Sequence, residues 1–335
     1  MSSAIYGLLF VAGTSVSLLA GWQLVAALER VGGRVGLSEG ALGMLAALAA
    51  DAPEITAAVS ALAAGNHHVG AGVVIGSNLF NLASLIGVAG IVGGFIALDR
   101  RVVRFAGVIA AWVALMALAA ATGALSPALT LALSLIVFVP YIAVLTLSPE
   151  RLDRLARHDR VRGALAGAVI AEETEMQLGN ESRRGRATHF DALLALGLTL
   201  LVVLASVVME RSATTLGTRA QVPAIVVGAL ALAAVTSLPN AVAGVYLARR
   251  GRGAAVLSTS LNSNSINVIA GLLIPTTILG IGPASSATTY VAAAALLMTL
   301  FTLAVCHVRG GITRAGGWLV VGFYAAFVAV LLTAS

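Results

Sequence analysis

The segment "LAADAPEITAAVSALAAG", Leu48 to Gly65, is apolar enough to enter a bilayer, yet it carries Asp51 and Glu54 with Pro53 between them. A charged side chain at the bilayer centre costs roughly 2.5–3.5 kcal/mol on insertion scales. A proline inside a helix costs about 3 kcal/mol more, because it lacks an N–H and clashes with the preceding turn. Two acids and a helix breaker kept in so apolar a stretch mark an ion or substrate pathway rather than packing.

The rest of the chain agrees that the solvent is lipid. Of 335 residues 59% are hydrophobic and 10% charged, and the mean hydropathy is +1.00. A soluble core cannot absorb that much apolar surface. With about 20 residues needed to cross the hydrocarbon, ten segments qualify: 4–28, 38–64, 69–97, 103–123, 127–147, 190–209, 221–248, 254–280, 286–306 and 315–333. None alternates as a barrel strand would, so the fold class expected is an all-α polytopic membrane protein of ten transmembrane helices. The first run, Ile5 to Leu28, is too long for a signal-peptide core and reads as the first span. A lone cysteine, Cys306, rules out an intramolecular disulfide.

All 20 basic residues are arginine, and 18 of them fall in odd-numbered loops; Arg211 and Arg219 alone fall in even-numbered ones. That asymmetry is a positive-inside signal. It predicts cytoplasmic odd loops and both termini outside, in a multi-pass protein of the plasma membrane. The basic charge therefore speaks for topology and contact with membrane lipid, not for nucleic acid. The long loop, residues 148–189, reads as a solvated cytoplasmic connector, its acidic Glu172–Glu175 cluster included. Glu39 and Glu210 lie near span ends and are expected to face water. His67 and His68 are expected to be exposed in an outer turn.

The stretch beginning at Ala50, "ADAPEITAAVSALAAGNHHVGAGVVIGSNLFNLASLIG", aligns without gaps to the one beginning at Thr236, "TSLPNAVAGVYLARRGRGAAVLSTSLNSNSINVIAGLL", at an offset of 186 residues. Pro53 falls on Pro239, Gly65 on Gly251, Ser77 on Ser263, Asn78 on Asn264 and Asn81 on Asn267. Polar residues are scarce in these spans, so polar identities carry the match. The copies occupy spans 2–3 and 7–8; an odd number of spans separates them, so they cross in opposite directions. The expected organisation is two inverted five-helix repeats, residues 1–147 and 190–335, with broken helices at the midplane. The ion-binding segments fall at about 48–87 and 234–273.

Each proline frees backbone carbonyls that lipid cannot satisfy, and each copy adds hydroxyls and amides. Hard cations take such oxygen ligands; no span has the His or Cys cluster a transition metal favours. The candidate ligands are Asp51, Glu54, Ser77, Asn78, Asn81, Thr236, Ser237, Asn240, Asn264 and Asn267. Ser263 belongs to the same oxygen inventory but is not assigned to the site. Two neighbouring carboxylates can hold a proton or a cation in competition. No nucleophile–base pair or metal triad lies within the spans, so an enzyme is not expected, and no cofactor is required.

The paired "PE…GSNLFN" and "TSLPN…NSNSIN" segments resemble the two α-repeats of the calcium/cation antiporter superfamily, the sodium/calcium exchanger group with its prokaryotic ten-helix members. The resemblance implies alternating-access exchange of inorganic cations, first Ca²⁺ for Na⁺, with H⁺-coupled exchange of Ca²⁺ or Na⁺ as the alternative. It also implies Glu54 as the first-repeat carboxylate, Asn81 as a central amide ligand, and Thr236 and Ser237 as backbone and hydroxyl donors. The chain departs from the family pattern in three ways. Ala50 and Asp51 stand for the usual Thr-Ser, Asn240 for an acid, and Asn267 at a position often acidic. A channel or a non-transporting relative on the same fold is the competing class.

Overall fold

The computed structural model describes residues 2–35, 45, 47–98, 100–145, 189–249, 251 and 253–334. Loop 148–189, apart from its last residue, and Glu39 lie outside them. Among the described residues the chain is helical except for one short ribbon. The helices are α1 (Ser3–Val35), α2 (Ala52–Ala63), α3 (His67–Gly93), α4 (Arg100–Ala121), α5 (Pro127–Leu145) and α6 (His189–Arg219). They continue with α7 (Ala224–Thr236), α8 (Leu238–Arg249), α9 (Gly253 to Leu279), α10 (Ser286–Arg309) and α11 (Arg314–Ala334). Seven are long and apolar enough to cross a membrane, or eight if the bent pair α7–α8 is one span.

Burial sorts these helices into an inside and an outside. The α3 span is 83% buried, whereas the Ser3–Leu28 part of α1 is 22% buried and turns most of its surface to lipid. Around α3 pack α7, α9, α10 and α11. Helix α1 pairs with α6 along a small separate core of Ala20, Leu24, Ala27, Ala195, Leu198 and Val202. Two polar contacts fasten that pair: Ser17 Oγ meets Ser206 Oγ at 2.8 Å, and Arg30 Nε donates to Asp191 Oδ1 at 2.7 Å.

Small residues let backbones touch where apolar surface alone gives no drive in lipid. A Cβ at Gly76 would stand 2.4 Å from Ala229 O, and one at Gly228 would stand 2.4 Å from Val69 O. With Gly72 one turn before Gly76, they bring α3 against the start of α7. That start is a π-helical stretch, Val227–Leu232. Two more π segments, Leu82–Val88 in α3 and Asn267–Leu273 in α9, begin at or just after Asn81 and Asn267. Widened turns of this kind recur at functional sites.

Two expected spans are corrected. Span 69–97 ends as a helix at Gly93; Gly94 takes φ +83°, and Phe95–Ala97 then pairs antiparallel with Gly311–Thr313, Ile96 opposite Ile312. The short apolar run 95–97 carries no period long enough to distinguish a strand from a helix end. Span 190–209 continues unbroken to Arg219, so Arg211 sits on a helix, not in a loop. Arg219 lies over the Tyr6 ring at 4.9 Å, which extends α6 alongside the start of α1.

The close approach of α3 to α7 sets a packing test. Gly76→Val should destabilise the protein by about 1–3 kcal/mol, the usual cost of overpacking, read as an earlier thermal transition in detergent. Gly7→Ala, which meets nothing within 4 Å, should leave that transition in place.

Candidate cation-binding site

Both copies of the repeated segment break their helix at the same point. The chain is helical over residues 47–50 and again from Ala52, with Asp51 between at φ −83°, ψ −6°. In the second copy α7 stops at Thr236 and α8 starts at Leu238, with Ser237 between at φ −85°, ψ 0°. The two halves of that span bend by 46°. Pro53 and Pro239 each follow the break by two residues, where an N–H is missing from the ladder. Asp51 precedes α2 but its side chain does not cap it; it reaches across to the second copy instead.

Asp51 Oδ1 accepts from Asn240 Nδ2 at 2.9 Å and from Ser263 Oγ at 2.7 Å. Glu54 accepts from Ser237 Oγ on Oε1 and from Asn267 Nδ2 on Oε2. Both carboxyl groups are fully buried. Every described donor to them comes from residues 237–267, while both acids come from residues 51–54. The carboxyls therefore staple the first copy to the second.

Beside them lies an amide layer. Asn78 Nδ2 donates to Asn264 O at 2.9 Å, and Asn264 Nδ2 donates to Asn78 O at 3.1 Å, a reciprocal pair. Asn81 Nδ2 donates to Asn264 Oδ1 at 3.2 Å and to Ser263 Oγ at 3.3 Å. Behind this layer Tyr141 from α5 donates to Asn262 Oδ1 at 2.8 Å.

Eight of the ten residues named from the sequence thus fall into two hydrogen-bonded groups, Asp51 with Asn78, Asn81, Asn240 and Asn264, and Glu54 with Ser237 and Asn267. Ser77 and Thr236 are buried beside them, but their hydroxyl hydrogens go to their own helices, to Val74 O at 3.0 Å and Leu232 O at 2.9 Å. Ser263, left out on sequence grounds, binds Asp51, Asn81 and Asn240 at once. Its alignment with Ser77 hid the difference: Ser77 turns back onto its own helix and Ser263 faces the acids.

Four oxygens of these groups are buried without a hydrogen-bond partner: Asp51 Oδ2, Asn78 Oδ1, Asn81 Oδ1 and Asn267 Oδ1. Buried polar atoms are nearly always paired, and an unpaired one costs about 1–3 kcal/mol. An oxygen-only set around two carboxyls is the donor chemistry of a hard cation such as Ca²⁺ or Na⁺.

Two readings outside these groups are corrected. Glu210 does not face water: it is fully buried and accepts from Ser60 Oγ at 2.9 Å and Thr214 Oγ1 at 3.0 Å. Hydropathy saw it near a span end because the helix continues ten residues further than expected, to Arg219. His67 and His68 open α3 and are half-buried; His68 Nδ1 meets Thr288 Oγ1 at 3.0 Å.

Comparison with known proteins bears on the family and the fold. A 101-residue stretch is 34% identical to the sodium/potassium/calcium exchanger Nckx30C of Drosophila melanogaster, covering 30% of this chain and 12% of the fly protein. The fold is similar to the crystal structure of the H⁺/Ca²⁺ exchanger CAX, with a TM-score of 0.67 at 15% identity over 100% of this chain and 87% of that one. It is also similar to the sodium–calcium exchanger NCX_Mj, with a TM-score of 0.56 at 17% identity over 98% and 99% of the two chains. The sodium/calcium exchanger protein family profile matches residues 5–148 and 190–333, and the chain belongs to that family.

Proposed function

We propose that this protein is a secondary active antiporter that exchanges Ca²⁺ for Na⁺ by alternating access, at a site formed by Asp51, Glu54, Asn78, Asn81, Ser237, Asn240, Asn264 and Asn267. Ser77 and Thr236 contribute backbone or lone-pair oxygens at its edge. The family consists of transporters of inorganic cations, not enzymes, and its members exchange Ca²⁺ with Na⁺ or H⁺. The observation that carries the reading is the unpartnered buried oxygens Asp51 Oδ2, Asn78 Oδ1, Asn81 Oδ1 and Asn267 Oδ1 next to two buried carboxyls.

The chemistry is competition for lone pairs. Ser237, Asn240, Ser263 and Asn267 donate hydrogens to the carboxyl oxygens. A cation takes the same lone pairs. The hydroxyls then turn to present oxygen, and Asn267, rotated about its amide, presents Oδ1 in place of Nδ2. One Ca²⁺ balances both carboxylates, whereas Na⁺ needs fewer ligands and leaves charge over. A membrane carboxylate pair left without a cation is costly, so binding of one ion is linked to release of the other.

The topology proposed is ten spans in two inverted five-helix repeats, with both termini outside the plasma membrane and loop 148–189 in the cytoplasm. Residues 47–63 supply one of the two remaining crossings and α9, too rich in Ser and Asn to pass as apolar, supplies the other. Support comes from four relations at one offset of 186 residues: the breaks at Asp51 and Ser237, the positive-φ turns Gly65 and Gly251, Gly94 and Gly280, and the Asn78–Asn264 exchange. In such repeats one bundle rocks against the other around a fixed site. The fastened α1–α6 pair is the unit we assign to that motion.

A second reading is H⁺ in place of Na⁺. One observation favours it: both acids come from residues 51–54 of the first copy and the second copy answers with the amides Asn240 and Asn267, so two protons neutralise the site without a metal.

Radiolabelled Ca²⁺ uptake into proteoliposomes decides between them. An outward Na⁺ gradient should drive uptake, and Glu54→Gln should abolish it. Uptake driven by an outward H⁺ gradient alone would establish the second reading. No uptake under either gradient in folded protein would refute Ca²⁺ antiport.

Asn240→Asp tests the one-sided charge. It removes a donor to Asp51 and sets a third acid against it, so without Ca²⁺ the protein should lose about 1–3 kcal/mol. Added Ca²⁺ should restore the thermal transition by binding the folded state, with a larger upward shift than in the wild type.

A further inference from the structure

We propose that Glu210 is a second proton-binding carboxyl, separate from Asp51 and Glu54, and that its protonation sets the contact of the α1–α6 pair with α2. It sits in α6, is fully buried, and forms no ion pair among the described residues. Its partners are hydroxyls only: Ser60 of α2 on Oε2 and Thr214 of α6 on Oε1, at 2.9 and 3.0 Å.

The hydroxyl pair suits a group that changes charge. A hydroxyl both donates and accepts and rotates freely. When Glu210 is ionised, Ser60 and Thr214 each donate to one oxygen. When it is protonated, one hydroxyl turns to accept and the other still donates. Both charge states are satisfied with the heavy atoms in place. A metal ion would need more oxygens than these hydroxyls and one carboxyl supply.

No ion pair among the described residues fixes the charge. On α1 the titratable groups are Tyr6, under Arg219, and Glu29, Arg30 and Arg34 in the last two turns, of which Arg30 pairs with Asp191 toward the other end of α6. On α2 the one other titratable group is Glu54, at the opposite end from Ser60. The α7 stretch packed against α6, Ala224–Thr236, has none. On α6 itself Arg211 is next in sequence but exposed, which brings water close enough to exchange the proton. Ser60 lies five residues before the Gly65 turn, the outer side in the orientation proposed above.

The contact is also the one described side-chain hydrogen bond between α6 and α2. An ionised Glu210 draws water into that seam and loosens it, while a neutral one keeps it dry. External protons would thereby act on the helix that carries Glu54 without entering the cation site. The sidedness and the effect on transport rest on the antiport reading; the proton site itself does not.

The test is pH-difference infrared spectroscopy of the full-length protein in lipid, with the external-pH profile of cation exchange measured in parallel. Apart from any bands of Asp51 and Glu54, the wild type should show a protonated-carboxyl C=O band of Glu210 that disappears as pH rises. Glu210→Gln should lose that band and flatten the pH profile. Ser60→Ala, which keeps the carboxyl, should shift the band and its midpoint, and it serves if the glutamine variant does not fold. A wild type with no titrating band absent from Glu210→Gln overturns the proton site, even in a protein that transports nothing. A band that titrates beside an unchanged pH profile in Glu210→Gln overturns the control of transport.

Discussion

Two carboxyl groups three residues apart, buried at the break that Pro53 makes, are answered entirely by hydroxyls and amides of another part of the chain. Asp51 holds Asn240 and Ser263, and Glu54 holds Ser237 and Asn267. In a low-dielectric interior an acid without such donors is too costly to keep. The breaks at Asp51 and Ser237 exist to turn these groups toward one another. The π segments that begin next to Asn81 and Asn267 then let the polar helices resume their course.

The surrounding helices pack closely round this core, and one pair of them has a small core of its own. Gly72, Gly76 and Gly228 bring backbone against backbone, so α3 and α7 pack as one block. Helices α1 and α6 make a second body with its own small core, Ser17–Ser206 bond and Arg30–Asp191 pair. A transporter needs both features: a dense block that keeps ligand geometry, and an interface that slips. The α2 helix lies between them, with Glu54 at one end and Ser60 on Glu210 toward the other.

Much of this was legible in the sequence because lipid penalises polar residues so strongly. Asp51, Glu54 and the asparagines stand out against an apolar background, and their recurrence at a constant offset showed which ones belong together. The breaks were readable from Pro53 and Pro239. What escaped depended on orientation and on helix length. Ser77 and Ser263 are aligned, yet one bonds its own helix and the other bonds Asp51, a difference of rotamer and neighbour that no spacing encodes. Glu210 was misread because α6 outruns its apolar stretch. The Phe95–Ala97 ribbon pairs with residues more than two hundred positions away, and no local pattern announces it.

The central claim is that Asp51 and Glu54, from one repeat, hold a cation with the amides of the other. A crystal structure of the protein in Ca²⁺ tests it most directly. The account predicts one ion bound by both carboxylates and by amide oxygen from Asn267 or Asn240, at about 2.3–2.6 Å, with the Ser237 and Asn267 hydrogen bonds to Glu54 broken. An ion held elsewhere, or carboxyls still bonded to Ser237 and Asn267 at saturating Ca²⁺, would contradict it.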